Sequence, residues 1–145
     1  MDVMTSWGRQ LAVGAEELAT HLADRTTPAD ADLWLDGLEE RVATIRAGLA
    51  GLGRCMEHGG YDGIVADAPR LTASLSRLCG ERSRLLGLVD DLSEACEHAR
   101  SSAEPDLDHL ERTARVLLLR TRMANHRAMG VARDAYDVDL GGPTG

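Results

Sequence analysis

The sequence predicts an all-α protein, folded as an antiparallel up-down four-helix bundle. Apolar residues recur at alternating steps of three and four along four long segments, the period of helices that bury one face. Glycine or proline interrupts these segments about every 30 residues, which favours a compact bundle over one extended coiled-coil dimer. Alternating β-branched residues, the pattern typical of strands, are absent from the sequence.

The first two helices are predicted over residues 4–25 and 29–57. Thr27 and Asp30, on either side of Pro28, resemble a capping box at the start of the second helix. Each helix carries one apolar stripe, and burial of a leucine contributes roughly 1.5–3 kcal/mol, so the stripes are expected to face each other. The stripe residues are Trp7, Leu11, Ala15, Leu18 and Leu22 in the first helix, and Leu35, Leu38, Val42, Ile45, Leu49, Leu52 and Met56 in the second.

The third and fourth helices are predicted over residues 65–99 and 105–137, the third with a break near Pro69. Proline is tolerated in the first turn of a helix, where its missing N–H has no intrahelical partner. The stripe of the fourth helix runs through Leu107, Leu110, Ala114, Leu117, Thr121, Ala124, Ala128, Val131 and Ala135. Residues 1–140 are therefore predicted to form one domain, followed by a flexible glycine-rich tail at 141–145.

Composition excludes several classes of function. Sixteen basic residues, all arginine, stand against 24 acidic ones, and the net charge of −8 is unsuited to a phosphate backbone. With four aromatic residues the chain also lacks a surface on which bases could stack. Neither a long apolar span nor a signal peptide is apparent. We therefore expect neither nucleic acid nor membrane as a partner.

Three cysteines, Cys55, Cys79 and Cys96, lie far apart and include no C-x-x-C pair. An odd number at this spacing is typical of reduced thiols rather than of a disulfide framework or a zinc site. The cysteines thus predict a cytoplasmic protein in which they are small apolar core residues.

One residue breaks the stripe of the third helix. Arg82 occupies a position of the apolar stripe formed by Leu71, Leu75, Leu78, Leu85, Val89, Leu92 and Cys96. A buried, unpaired guanidinium would cost several kcal/mol. Arg82 must therefore extend to solvent from the edge of the stripe, pair with a carboxylate, or face a polar site at the centre of the bundle.

The other candidate residues are more dispersed. Glu94 and His98, and likewise Cys55 and His58, have the helical spacing of metal ligands, but both pairs lie near helix ends. His126 falls on the outer face of the fourth helix. A glycine-rich phosphate loop, a G-x-S-x-G motif and an H-E-x-x-H motif are all absent from the sequence.

Two stretches resemble the hemerythrin-like (HHE cation-binding) family. The first runs from Gly59-Gly60-Tyr61 through Ala68-Pro69-Arg70-Leu71 to Leu78, Glu81-Arg82 and Leu85-Leu86. The second is the ending from Asp134-Ala135-Tyr136 to Gly142. With the connecting helices, the resemblance covers about residues 33–142.

The resemblance implies a bundle in which His, Glu and Asp from four helices hold a non-haem di-iron centre for oxygen, peroxide or redox sensing. This chain keeps Glu57 but has Leu52 or Gly53 in place of the preceding histidine. It also has Glu81-Arg82 in place of the family's Glu-His pair. Arginine stays protonated and offers no lone pair to a metal. The resemblance therefore implies a degenerate site without an ordinary metal cofactor, in which Arg82 neutralises Glu57 or another inward acid.

Three functions stay open. The first is a non-enzymatic binding or interaction module, with a central polar site formed by Glu57, Glu81, Arg82 and Thr121 and a protein or small molecule as partner. Small residues at Thr121, Ala124 and Ala128 would leave room for such a ligand. The alternative is a non-haem iron sensor or carrier with the unusual ligands Cys55, Glu57, His58 and His126. A third is a subunit docked through its glycine-rich tail. A homodimer also stays open.

Overall fold

The computed structural model describes residues 2–24, 31–55 and 69–141 and is helical throughout these ranges, apart from short turns and one loop. It confirms the four predicted helices and the all-α class, and no strand occurs among the described residues. The helices are α1 (Asp2–Ala23), α2 (Ala31–Cys55), α3 (Thr72–Arg100) and α4 (Leu107–Gly141), with a 3₁₀ turn at Pro69–Leu71 before α3.

The helix boundaries follow local chemistry. A 3₁₀ turn at Pro69–Leu71 leads into α3. Because the residues before Pro69 lie outside the described ranges, the break near Pro69 stays a prediction. The predicted start of the fourth helix at residue 105 is wrong by two residues. The carboxylate of Asp106 accepts a hydrogen bond from the backbone N–H of His109 at 3.0 Å, which caps the helix and leaves Pro105 in the loop. The predicted capping box at residues 27–30 and the start of the third helix at 65–68 lie outside the described residues.

One apolar core joins the four helices. The predicted stripe residues whose side chains are described are buried, except for Leu107 and Arg82, which are half-buried. Among the largest fully buried side chains are Trp7, Leu11, Leu18, Leu38, Ile45, Leu49 and Leu85. The helical periods read from the sequence therefore identify the core correctly. None of the helices in the described ranges has a stretch long and apolar enough to cross a membrane.

Glycine brings α1 and α2 close together. A Cβ added to Gly48 would lie 2.8 Å from Cδ2 of Leu11, and one added to Gly51 would lie 3.1 Å from Cβ of Trp7. Gly14 of α1 is likewise pressed against Ile45 of α2. The paired positions rise along α1 as they fall along α2, so the two helices run in opposite directions.

At the other end of the α1–α2 contact, a histidine of α1 packs against a tryptophan of α2. The imidazole of His21 stacks on the indole of Trp34, with ring centroids 5.5 Å apart, and its Nε2 hydrogen-bonds to the backbone carbonyl of Trp34 at 2.8 Å. Gly37 leaves the space that this ring occupies, since a Cβ there would overlap it.

Arginines join α2 to α3. Arg46 of α2 pairs with Asp90 of α3 at 2.7 Å. Arg100 of α3 pairs with Asp36 at 2.6 Å and with Glu39 at 3.0 Å, both on α2. Later residues of α2 thus contact earlier residues of α3, so these two helices also run in opposite directions.

Candidate functional site

The arginine that interrupts the α3 stripe lies against the C-terminal part of α2. Arg82 is half-buried, and its Nε donates a hydrogen bond to the backbone carbonyl of Leu49 at 2.8 Å. The guanidinium rests on the backbone of Gly53, where a Cβ would overlap it. Leu49 and Gly53 are one helical turn apart, so a single side chain of α3 contacts two successive turns of α2.

The carbonyl that Arg82 reaches lies within α2, because Leu49 comes more than one helical turn before Cys55. A carbonyl oxygen has two lone pairs, so that of Leu49 can accept the bond from Arg82 in addition to its intrahelical bond. A guanidinium carries a permanent positive charge and five N–H donors. Arg82 therefore links α3 to α2, and Gly53 is needed for it to approach so closely.

Of the other residues predicted for the central site, Glu81 pairs elsewhere and several lie outside the described ranges. Glu81 is next to Arg82 in sequence, but its carboxylate pairs with Arg84 at 3.1 Å. Glu57 and His58 lie outside the described residues, and for Cys55 the structure describes the backbone alone. Within the described ranges no carboxylate pairs with Arg82.

Thr121 is fully buried on α4. Its hydroxyl has no hydrogen-bond partner within the part of the chain that the structure describes, so no hydrogen bond joins it to Arg82. Ala124 and Ala128, which the sequence analysis expects to leave room, are buried beside it in the core. A buried hydroxyl that makes no hydrogen bond costs about 1–3 kcal/mol. Thr121 is the one polar residue among the buried residues of the described ranges.

Two further buried polar groups are not apparent from the stripe pattern. The indole N–H of Trp7 and the amide oxygen of Asn125 are buried and, among the described residues, unpartnered. Gly8 of α1 faces Asn125 and Met129 of α4, whereas Trp7 lies against Gly51 of α2. Asn125 is one turn from Thr121 on α4, and this spacing is the sequence signal that could have found it.

His126 is exposed on α4, as its outer-face position predicts. It lines a groove of about 390 Å³ between α1 and α4, together with Leu11, Ala12, Ala15, Glu16, Arg122, Asn125 and Met129. Arg122 and Glu16 pair across this groove at 3.3 Å.

A second groove of about 610 Å³ lies where the end of α3 meets the start of α4. Glu94 and His98, which have the spacing of a ligand pair, line it with His109 and Asp106. Nevertheless, the described residues contain no group of three or more His, Cys, Asp or Glu side chains arranged to hold a metal ion.

The two cysteines with described side chains differ in environment. Cys96 is buried in the core, and burial, with a smaller effect of the nearby Glu39 carboxylate, raises its pKa to about 11. Cys79 is half-buried, and both thiols are free. These placements agree with the prediction of small apolar core cysteines for Cys96.

Comparison with protein-family models, with curated proteins and with solved structures finds no match to this chain. The fold and the site define an all-helical protein whose helices pack as a bundle, with an arginine at the α2–α3 contact.

Proposed function

We propose that this chain is a non-enzymatic interaction module with the up-down topology of a hemerythrin-like bundle, in which an arginine replaces a metal ligand. The contact between Arg82 and the end of α2 carries the proposal. In the family that the sequence resembles, this position holds a histidine ligand. Here it holds a permanently charged donor that bonds to Leu49, and a donor of that kind cannot bind a metal ion.

The order of the helix contacts supports the up-down topology. α1 and α2, and likewise α2 and α3, meet with their residue numbers running in opposite directions, and Arg122 of α4 reaches Glu16 of α1. A ring of four helices with each beside the next is the arrangement expected of an up-down bundle. The cysteine pattern favours a reducing, cytoplasmic setting.

Metal analysis of the full-length protein tests this proposal. The protein would be produced with iron, manganese and zinc supplied, purified without chelator, and its metal content measured against protein concentration. We expect a content far below one ion per chain and no absorption band of an oxo-bridged iron centre. A matched sample of Glu57→Ala would give the same content, since the proposal assigns Glu57 no metal.

The competing function is a non-haem iron sensor or carrier with ligands among Cys55, Glu57, His58 and His126. Near-stoichiometric metal in the native chain, lost in Glu57→Ala or His58→Ala, would establish that function and overturn the proposal.

A further inference from the structure

The middle of α4 differs in charge from the rest of the protein. Residues 112–133 contain six arginines and no acidic residue, whereas the rest of the chain has ten arginines against 24 acidic residues. A single helix segment of an acidic protein is therefore strongly basic.

The same segment exposes apolar side chains. Within the described residues five large hydrophobic side chains are exposed, and three of them are on α4: Val116 (44%), Leu119 (60%) and Met123 (54%). They are spaced at i, i+3 and i+7, so they form one stripe that covers about two helical turns. Scattered exposed hydrophobic residues need no explanation, but a stripe at helical spacing on the outer side of a packed helix does.

Arginines flank this stripe. Arg112 and Arg120 lie one turn before and one turn after Val116, and Arg127 lies one turn after Met123. Among the described residues no carboxylate pairs with Arg120 or Arg127, while Arg115 is bonded to Glu111 within the helix at 3.1 Å. We call the surface formed by Arg112, Val116, Leu119, Arg120, Met123 and Arg127 the α4 outer face.

We infer that the α4 outer face is a docking site for an acidic amphipathic helix of a partner protein. Such a helix would place two turns of apolar residues on Val116, Leu119 and Met123 and its carboxylates beside the arginines. Opposite charge on the two surfaces guides encounter and sets register, while the apolar stripe supplies the buried contact. This inference names the partner of the interaction module proposed above and rests on that function.

Charge argues against two other occupants. In a two-fold dimer through this face, the arginines of one copy would meet the same arginines of the other. An anionic membrane would attract the α4 outer face but repel the strongly acidic remainder of the chain, and the apolar stripe is short for stable insertion. A helix with its own carboxylates satisfies both the charge and the length of the stripe.

Binding of a designed peptide tests the inference. The probe is a fluorescent, end-capped helix of about 15 residues with leucines at i, i+3 and i+7 flanked by glutamates. A control peptide has the same composition with the leucines moved off one face. Fluorescence anisotropy is measured with the native chain and with Leu119→Asp and the double variant Arg120→Glu, Arg127→Glu. Leu33→Asp and Arg9→Glu serve as matched controls, since both residues are exposed on other helices.

We expect Leu119→Asp and the double charge reversal each to raise the Kd of the peptide about tenfold or more. The Leu33 and Arg9 controls should bind like the native chain, and circular dichroism should show equal helicity for all variants. Equal binding of both peptides, or binding insensitive to Leu119→Asp, would overturn the inference. The inference would also be overturned if the native chain floats with phosphatidylglycerol–phosphatidylcholine vesicles, or forms a dimer in light scattering, and Leu119→Asp abolishes that behaviour.

Metal content measured on the same preparation separates the two proposals. If the protein contains metal and still binds the peptide, the docking inference stands. The proposal that Arg82 replaces a metal ligand is then wrong. If the protein is metal-free but its α4 outer face does not bind the peptide, the docking inference is wrong. The interaction module proposed above would then have to use another surface.

Discussion

α2 packs against α1 on one side and α3 on the other, and the two contacts are of different kinds. Toward α1 the contact is made by glycines, with Gly48 against Leu11 and Gly51 against Trp7. Toward α3 the shared apolar core is supplemented by charged side chains at its margin, including Arg46 with Asp90. The first contact depends on shape, which a single added carbon can disturb. The second depends on side chains long enough to move aside, so we expect it to tolerate substitution better.

The largest effect is expected where the glycine contact is closest. Gly48→Ala gains about 1 kcal/mol of helix propensity, but its methyl group would lie 2.8 Å from Leu11 Cδ2 and 3.3 Å from the Leu11 backbone nitrogen. Leu11 is buried, so the helices must move apart, and overpacking of this kind costs about 1–3 kcal/mol. We expect a net loss of about 1–2 kcal/mol in the free energy of unfolding, measured by urea denaturation.

Gly87→Ala is the matched control. A Cβ at Gly87 meets nothing within 4 Å, so the same substitution should stabilise the protein by about 0.5–1 kcal/mol. If both variants stabilise the protein alike, shape does not control the α1–α2 contact.

A smaller effect is expected at the α2–α3 contact. Arg82→Met keeps an apolar stem but removes the donor to the Leu49 carbonyl of α2. We expect a loss of about 1 kcal/mol in the free energy of unfolding. Arg77→Met is the control, because Arg77 is exposed on the same helix and should change stability by no more than about 0.5 kcal/mol. Unchanged or increased stability in Arg82→Met would mean that the guanidinium is merely solvated.

The smallest effect at neutral pH is expected from Cys96, which is buried near Glu39 and Arg100 beside the α2–α3 contact. Its folded-state pKa of about 11 lies above the ordinary value of 9.0, so the folded protein retains the thiol proton longer than the unfolded chain does. The stabilisation is complete below pH 9 and is lost as the pH rises toward 11. The melting temperature should therefore fall more steeply between pH 9 and pH 11 in the native chain than in Cys96→Ala.

Alkylation adds an independent measurement. At pH 8, iodoacetamide should modify the half-buried Cys79 well before Cys96, as peptide mapping by mass spectrometry would detect. Rapid modification of Cys96 would indicate that the α2–α3 contact opens readily.

Much of the fold could be predicted because it depends on local periodicity. Four apolar stripes and the anomaly at Arg82 are visible in the sequence, and the structure confirms the burial of the stripe residues. The start of α4 was missed by two residues because Asp106 caps the helix after Pro105, a local choice that the apolar stripe does not encode.

The site could be predicted less well, because a stripe position does not specify a partner. The sequence shows that Arg82 interrupts an apolar stripe, but its bond to the Leu49 carbonyl and its approach to Gly53 depend on how α2 and α3 align. Glu81 was expected in the central site from its place beside Arg82. On a helix, adjacent residues point about 100° apart, and Glu81 pairs with Arg84 instead.

The sequence by itself determined which residues form helices and which face of each helix is buried, because both follow from the 3.6-residue period of side chains along one chain segment. Tertiary structure alone decided which carbonyl the Arg82 guanidinium reaches, which glycines lie against α1, and that Val116, Leu119 and Met123 stay uncovered. These depend on contacts between residues far apart in the chain, and their relative positions are set only when the helices pack.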